Sequence, residues 1–245
     1  MGISTVVTSG KGGAGKSLFS VGLGRALTQR GRRVLLIDGD AGLRSLDRMT
    51  GTEENLLFNI ADVMHGRCAP IDAIYPCAQA PGLFLLPAPV SPEEAVTAGV
   101  MQQLVPLLQR YYDHVILDSP AGLGTGFRAS VSAADRAVVI CNPDPVCVRS
   151  ADTVRRRLDE LSVREKLLVI NRFQRSFFEE TAVYEDLDAV IDGTGIRLLG
   201  LIPEDFALAG AFLNGRAAGE DSAGMMAISR IAARLEGEMV PVPMV

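Results

Sequence analysis

Short apolar runs that end in a carboxylate or amide recur along the chain, and most are followed by stretches in which apolar residues return every three or four positions. The runs at 3–8, 33–38, 82–86, 114–118, 136–140, 166–170 and 196–202 are rich in Val, Ile and Leu. That pattern predicts strands buried on both faces of a parallel sheet. Helical patterns lie between most of them, at 17–30, 100–110, 150–161, 179–191 and 223–235. In the first, Phe19, Val21, Leu23, Ala26 and Leu27 make a broad apolar face. Such alternation predicts an α/β fold, a mostly parallel, doubly wound sheet with helices on both faces. Functional residues then belong at the carboxyl ends of the strands, where Asp38, Asp40, Asp118, Asn142 and Asn171 fall.

Composition narrows the picture. The chain has 245 residues, 48% of them hydrophobic and 22% charged, enough to bury a large core without disulfides or metals. With no low-complexity linker or internal repeat, residues 1–245 read as one domain, a core over 1–237 and a short proline-containing tail over 238–245. The net charge of −5 does not favour an electrostatic grip on nucleic acid, and DNA is not an expected partner. The one dense basic stretch, Arg155-Arg156-Arg157, sits among Val154, Leu158 and Leu161 at helical spacing, which leaves the arginines on a solvated helix face. Cys68, Cys77, Cys141 and Cys147 form no C-x-x-C pair, and His65 and His114 are far apart, so neither structural zinc nor an iron–sulfur site is expected. Free-looking thiols without a signal peptide place the chain in a reducing cytoplasm. No apolar run approaches the roughly 20 residues of a membrane-spanning helix.

Gly10-Lys11-Gly12-Gly13-Ala14-Gly15-Lys16-Ser17 fits the phosphate-loop pattern G-x-x-x-x-G-K-[ST], between a predicted strand and a predicted helix. The glycines let backbone N–H groups turn toward phosphate oxygens; Lys16 supplies a point charge, and Ser17 a hydroxyl ligand for Mg²⁺. Gly10-x-Gly12-x-x-Gly15 also fits the dinucleotide fingerprint, with Asp38 about where a ribose-binding acid would stand. That alternative leaves Lys16 and Ser17 unexplained, and a lysine charge there suits a triphosphate better. A second element, Asp118-Ser119-Pro120-Ala121-Gly122, places an acid where it can hold Mg²⁺ through water. A third, Asp38 to Asp47, offers Asp40 to orient an attacking water and Asp38 to assist the metal shell. Taken singly, each of these two acidic segments also reads as a capped turn.

Together these three blocks resemble the MinD/ParA family of deviant Walker A ATPases, and the second and third are most similar to its MinD branch. Further likeness lies in Asn142-Pro143-Asp144, Ile170-Asn171-Arg172 and Ile202-Pro203-Glu204-Asp205, so the resemblance runs from the first strand to about residue 235. It implies an ATP hydrolase using Mg²⁺ and working as an ATP-dependent homodimer. Lys11 would reach the partner's phosphates while Lys16 and Ser17 act within the subunit. Asp40 would position the hydrolytic water, Asn171 and Arg172 would contact adenine, and Gly122 would let the second switch sense the γ-phosphate. The implied catalytic set is Lys11, Lys16 and Asp40, and the metal set Ser17, Asp38 and Asp118. The implied nucleotide-binding set is Gly10, Lys11, Gly12, Gly13, Ala14, Gly15, Lys16, Ser17 and Leu18, with Gly122, Asn171 and Arg172.

Two departures stand out. Ala14 replaces a larger residue, and Ser17-Leu18 stand where two threonines are usual, although serine keeps the metal hydroxyl. The segment Glu236 to Val245 carries two acids and two prolines, which cannot make the basic amphipathic helix that anchors MinD proteins at a membrane surface. The resemblance implies a timed switch that positions a cell-division inhibitor or other large assembly, with a protein partner that stimulates hydrolysis. It also implies a cytoplasmic location that extends peripherally to the inner face of the membrane. The alternatives are DNA or plasmid partitioning of the ParA kind and flagellar placement.

Overall fold

The computed structural model describes residues 1–78 and 80–243. Eight strands form one sheet: β1 Ile3–Thr8, β2 Val34–Asp38, β3 Tyr75–Pro76, β4 Leu83–Leu86, β5 His114–Asp118, β6 Arg136–Cys141, β7 Glu165–Phe173 and β8 Arg197–Pro203. Their order is β3-β4-β2-β5-β1-β6-β7-β8, with every pair parallel except the short β3–β4 edge. Strands β2, β5 and β6 are buried along their whole length, because helices cover both faces.

The helices are α1 Lys16–Gln29, α2 Ser45–Thr50, α3 Ile60–Met64, α4 Ala98–Leu108, α5 Thr125–Val131, α6 Pro145–Glu160, α7 Arg175–Thr181, α8 Leu187–Thr194, α9 Phe206–Leu213 and α10 Ala223–Leu235. Crossovers from β1 toward β4 put α1 and α2 on one face, where α10 and α9 return to pack on α1 and α2. Crossovers in the other direction put α4, α5, α6 and α8 on the opposite face. The sheet is therefore doubly wound, as expected, and its order reverses at β1, the kind of switch point at which open α/β sheets bind ligands.

All seven predicted strands are present; several boundaries and small elements differ. Helix α6 begins at Pro145 rather than 150, because Asp144 caps it by accepting from the N–H groups of Val146 and Cys147. The helical pattern at 179–191 is divided between α7 and α8: Ala182 takes a left-handed backbone and Asp186 caps a new helix. Helices α2, α3, α5 and α9 have five to eight residues, too short for periodicity to announce them. Arg155, Arg156 and Arg157 do lie on the solvated side of α6, and each is tied to an acid of the same helix: Asp152, Asp159 or Glu160. After α10 the chain lies back on the body, where Arg30 and Arg32 pair with Glu236, and Arg234 donates to the carbonyls of Val240 and Pro241. Met244 and Val245, the end of the expected tail, are outside the described residues.

Candidate functional site

The loop Gly10–Ser17 joins β1 to α1 at the carboxyl edge of the sheet, flanked by the ends of β2 and β5 on one side and β6 and β7 on the other. Its backbone cannot accept larger residues at two points. A Cβ on Gly10 would stand 2.5 Å from Ser150 Cβ on α6, and one on Gly15 would stand 2.3 Å from Asn171 Nδ2. Gly15 also has a φ of 98°, which a side chain disfavours. It precedes α1 without any side-chain cap, so the first N–H groups of that helix are left for an anion.

Lys16 is only 8% exposed, and its Nζ lies 3.3 Å from Ser9 Oγ. Ser9 in turn donates to the carbonyl of Lys11 at 2.8 Å. Ser17 Oγ donates to Asp118 Oδ2 at 2.6 Å, and Ser20 Oγ, one turn further along α1, donates to Asp118 Oδ1 at 2.9 Å. Ser45 of α2 reaches Ser17 Oγ at 3.2 Å, which links the third block to the loop. Asp38 is directly opposite Asp118 in the β2–β5 register. Its two oxygens accept from the N–H groups of Asp40 (2.9 Å) and Leu46 (3.2 Å), so Asp38 shapes the segment that carries Asp40.

Burial chiefly, then the charge of Asp118, pushes the Asp38 carboxyl up to about 8. Burial likewise raises Asp118 to about 6, against the lowering effect of the Ser17 and Ser20 hydroxyls. Asp40, half-buried, is raised by burial while the Lys16 charge opposes the shift. Crowded buried carboxyls at the end of a glycine-rich loop are relieved by a cation, and at the end of β1, where the loop begins, Thr8 Oγ1 is buried without a hydrogen-bond partner among the described residues. No group of three or more His, Cys, Asp or Glu converges among the described residues. Mg²⁺ does not require one: it uses one or two carboxylates completed by phosphate and water. The donor set of Ser17, Asp118 and Asp38 fits that ion.

The remaining expected residues fall around the loop. Lys11 is 45% exposed and pairs with Asp144 at 3.6 Å. Asn171 is buried and donates to the carbonyl of Ala14 at 2.8 Å, bracing the loop. Arg172 has a left-handed backbone with φ 55° at an irregularity of β7, and its side chain reaches Glu204 at 3.9 Å. Gly122 has φ 85° in the segment after β5. Ser9 and Ser20 lie outside the expected site residues, and Asp144, expected only as part of the likeness in Asn142-Pro143-Asp144, has a contact to the loop that the sequence does not announce. Ser20 has a legible signal of its own, its i+3 spacing from Ser17 on one helix face.

A phosphate-cradling loop at a topological switch point, with a buried lysine and a hydroxyl–carboxyl pair behind it, defines a P-loop nucleotide-binding protein. Residues 5–218 match the family described as CobQ/CobB/MinD/ParA nucleotide binding domain. The septum site-determining protein MinD of Bacillus subtilis is 36% identical over 246 residues, spanning 98% of this chain and 91% of that protein. The MinD cell division protein in a MinC:MinD complex of Aquifex aeolicus superposes with a TM-score of 0.90 at 32% identity, covering 98% of each chain. The septum site-determining MinD of Pyrococcus horikoshii, solved with Mg-ADP, superposes at 0.85 with 27% identity over 96% of each chain. The chain belongs to the MinD/ParA family of nucleotide-binding ATPases, within its MinD branch.

Proposed function

We propose that the protein is an Mg²⁺-dependent ATP hydrolase that dimerises with ATP and uses hydrolysis as a timer to position a division inhibitor or another large assembly. The observation that carries this reading is the joined set Lys16, Ser17 and Asp118 beside an exposed Lys11 that its own subunit's loop does not bury. We assign the ATPase core to 1–237 and the tail to 238–245.

Backbone N–H groups of Gly10 to Leu18 and the amino end of α1 bind the phosphates, and Lys16 offsets their charge from within the subunit. Asn171 holds the loop in shape and, with Arg172, borders the adenine. When bound, Mg²⁺ screens the phosphate charge and orients the terminal phosphate; Ser17 and Asp118 would hold it, with Asp38 behind them. Asp40 orients water and can accept a proton from it, since burial makes its carboxyl more basic than an exposed aspartate. Lys11 is tethered to Asp144 across an exposed 3.6 Å gap, a weak contact that a triphosphate on a second subunit can replace. Arriving in trans, it stabilises charge at the transition state, which makes hydrolysis depend on dimerisation. Gly122, whose left-handed backbone suits glycine, lets the segment after β5 turn so that it senses the γ-phosphate.

The positioning role is supported by relatives named septum site-determining proteins, and the MinC:MinD complex supports a protein partner. We extend that partner's role to stimulating hydrolysis, and the location to the cytoplasm and the inner face of the membrane. DNA partitioning is less favoured, because the arginines of α6 are tied to neighbouring acids. No helix among the described residues is long and apolar enough to cross a membrane. The test is Asp40→Ala, sized by light scattering in ATP and ADP, then floated with anionic liposomes. An ATP-only dimer supports the switch, and a monomer in both nucleotides refutes it. ATP-dependent flotation places the dimer on the membrane; a dimer that stays behind assigns localisation to a protein partner.

A further inference from the structure

Cys141 and Cys147 take no part in the steps above, yet they are neighbours beside the site. Cys141 closes β6 and Cys147 lies in the first turn of α6; both are fully buried. Their sulfurs converge on one residue. Cys141 Sγ donates to the carbonyl of Asn142 at 3.2 Å, and the N–H of Asn142 donates to Cys147 Sγ at 3.2 Å. Each thiol is the largest influence on the acidity of the other: Cys141 is pushed up and Cys147 is pulled down. Cys147 is further favoured as thiolate by the Asn142 N–H and by the amino end of a 16-residue helix.

The turn between these thiols belongs to the site. It carries Asp144, which caps α6 and holds Lys11. One turn further along α6, Ser150 fills the space that Gly10 leaves open. Any constraint on this turn therefore acts on Gly10 and Lys11, the first two residues of the phosphate loop.

We propose that Cys141 and Cys147 are an oxidisable dithiol that a hydroperoxide closes to an intramolecular disulfide, and that closure holds Lys11 on Asp144 and slows the ATP switch. The second clause rests on the in-trans reading of Lys11; the first does not. The Cys147 thiolate attacks a peroxide oxygen, forming an S–O bond as the O–O bond breaks, and the departing hydroxide takes a proton to leave as water. Cys141 then attacks Cys147 Sγ, the S–S bond forms, and the S–O bond breaks. The Cys141 proton leaves with that oxygen as a second water. Two thiols and one hydrogen peroxide become a disulfide and two waters, with the peroxide reduced by two electrons.

The full chain is treated with hydrogen peroxide, its remaining thiols are alkylated, and its peptides are mapped by mass spectrometry. ATP-dependent dimer yield and ATP turnover are then measured before and after dithiothreitol. The expected result is one peptide, 137–149 in a tryptic map, that carries an internal 141–147 disulfide and is lighter by two hydrogens, with Cys68 and Cys77 still alkylated. Dimer yield and turnover fall several-fold and recover on reduction. Cys141→Ser and Cys141→Ala keep the turnover of the reduced protein after the same treatment. Thiols that survive peroxide, or oxidation that stops at a sulfinic acid on one cysteine, overturn the dithiol. A disulfide that leaves dimer yield and turnover unchanged overturns the coupling. A reduced protein that never dimerises refutes the function proposed above, while the peptide map still decides the dithiol.

Discussion

The Ser17 hydroxyl donates a 2.6 Å hydrogen bond to Asp118 across 101 residues of sequence, so the phosphate loop and the end of β5 are one piece of machinery. Asp118 receives a second hydroxyl from Ser20. Asp118→Ala leaves both hydroxyls without their acceptor and removes a carboxyl from the metal side. The expected loss is about 1.5–3 kcal/mol of Mg-ATP binding, roughly ten- to a hundred-fold in affinity. Calorimetric titration with ATP in excess Mg²⁺ and in chelator checks it. Unchanged Mg²⁺ dependence in the variant would remove Asp118 from the metal set.

The two loop lysines are expected to separate by assay. Lys16 is buried in the loop, and Lys16→Ala should weaken ATP binding by about a hundred-fold or more, the loss of a charge-assisted contact of about 3 kcal/mol. Lys11 is exposed, and Lys11→Ala should leave monomer affinity within about threefold, as for a surface pair worth under about 1 kcal/mol, while stopping ATP-driven dimerisation. Fluorescent-nucleotide binding and light scattering read the two quantities. A normal ATP dimer from Lys11→Ala refutes its role in trans.

Arg172 holds a left-handed backbone that a non-glycine residue adopts at a cost of about 1–2 kcal/mol. Strain of that kind is retained where a side chain has work to do. Arg172→Gly should keep or slightly raise thermal stability and lower ATP affinity. A variant that loses stability, or binds ATP normally, would show that the conformation serves the β7 irregularity rather than the nucleotide.

Acid–base behaviour of the nucleotide-free protein follows from Asp38. Its carboxyl binds a proton more tightly folded than unfolded, titrating at about 8 instead of the ordinary 3.8. The unfolded chain therefore holds fewer protons through that window, and stability falls as pH rises through it. One such group sets a slope of up to ~1.4 kcal/mol per pH unit, and solvent relaxation reduces it to about half. Thermal unfolding at about pH 6 and about pH 8 should differ by about 1–2 kcal/mol for the native sequence, and by much less for Asp38→Asn. The slope is the informative readout, because the amide also replaces one of two acceptors for backbone N–H groups and lowers stability at every pH. Equal slopes in the two proteins would mean that another group titrates.

Much of this protein is written locally. A parallel strand buried on both faces must be a continuous apolar run, and a phosphate loop must be glycine-rich with a lysine and a hydroxyl at one spacing; both are properties of adjacent residues. Seven strands, the long helices, the loop and the strand-end acids Asp38 and Asp118 are legible for that reason. Short helices such as α2 and α5 are not, since six or seven residues carry too little periodicity and their stability comes from packing. Tertiary structure alone decided the strand order, and with it the meeting of Asp38 with Asp118, of Asn171 with Ala14 and of Lys11 with Asp144. It also brought Cys141 beside Cys147, which five intervening residues conceal. Each of these pairs is set by how strands and helices stack across the sheet, a choice made by burial summed over the whole core and left unmarked in any one stretch of chain.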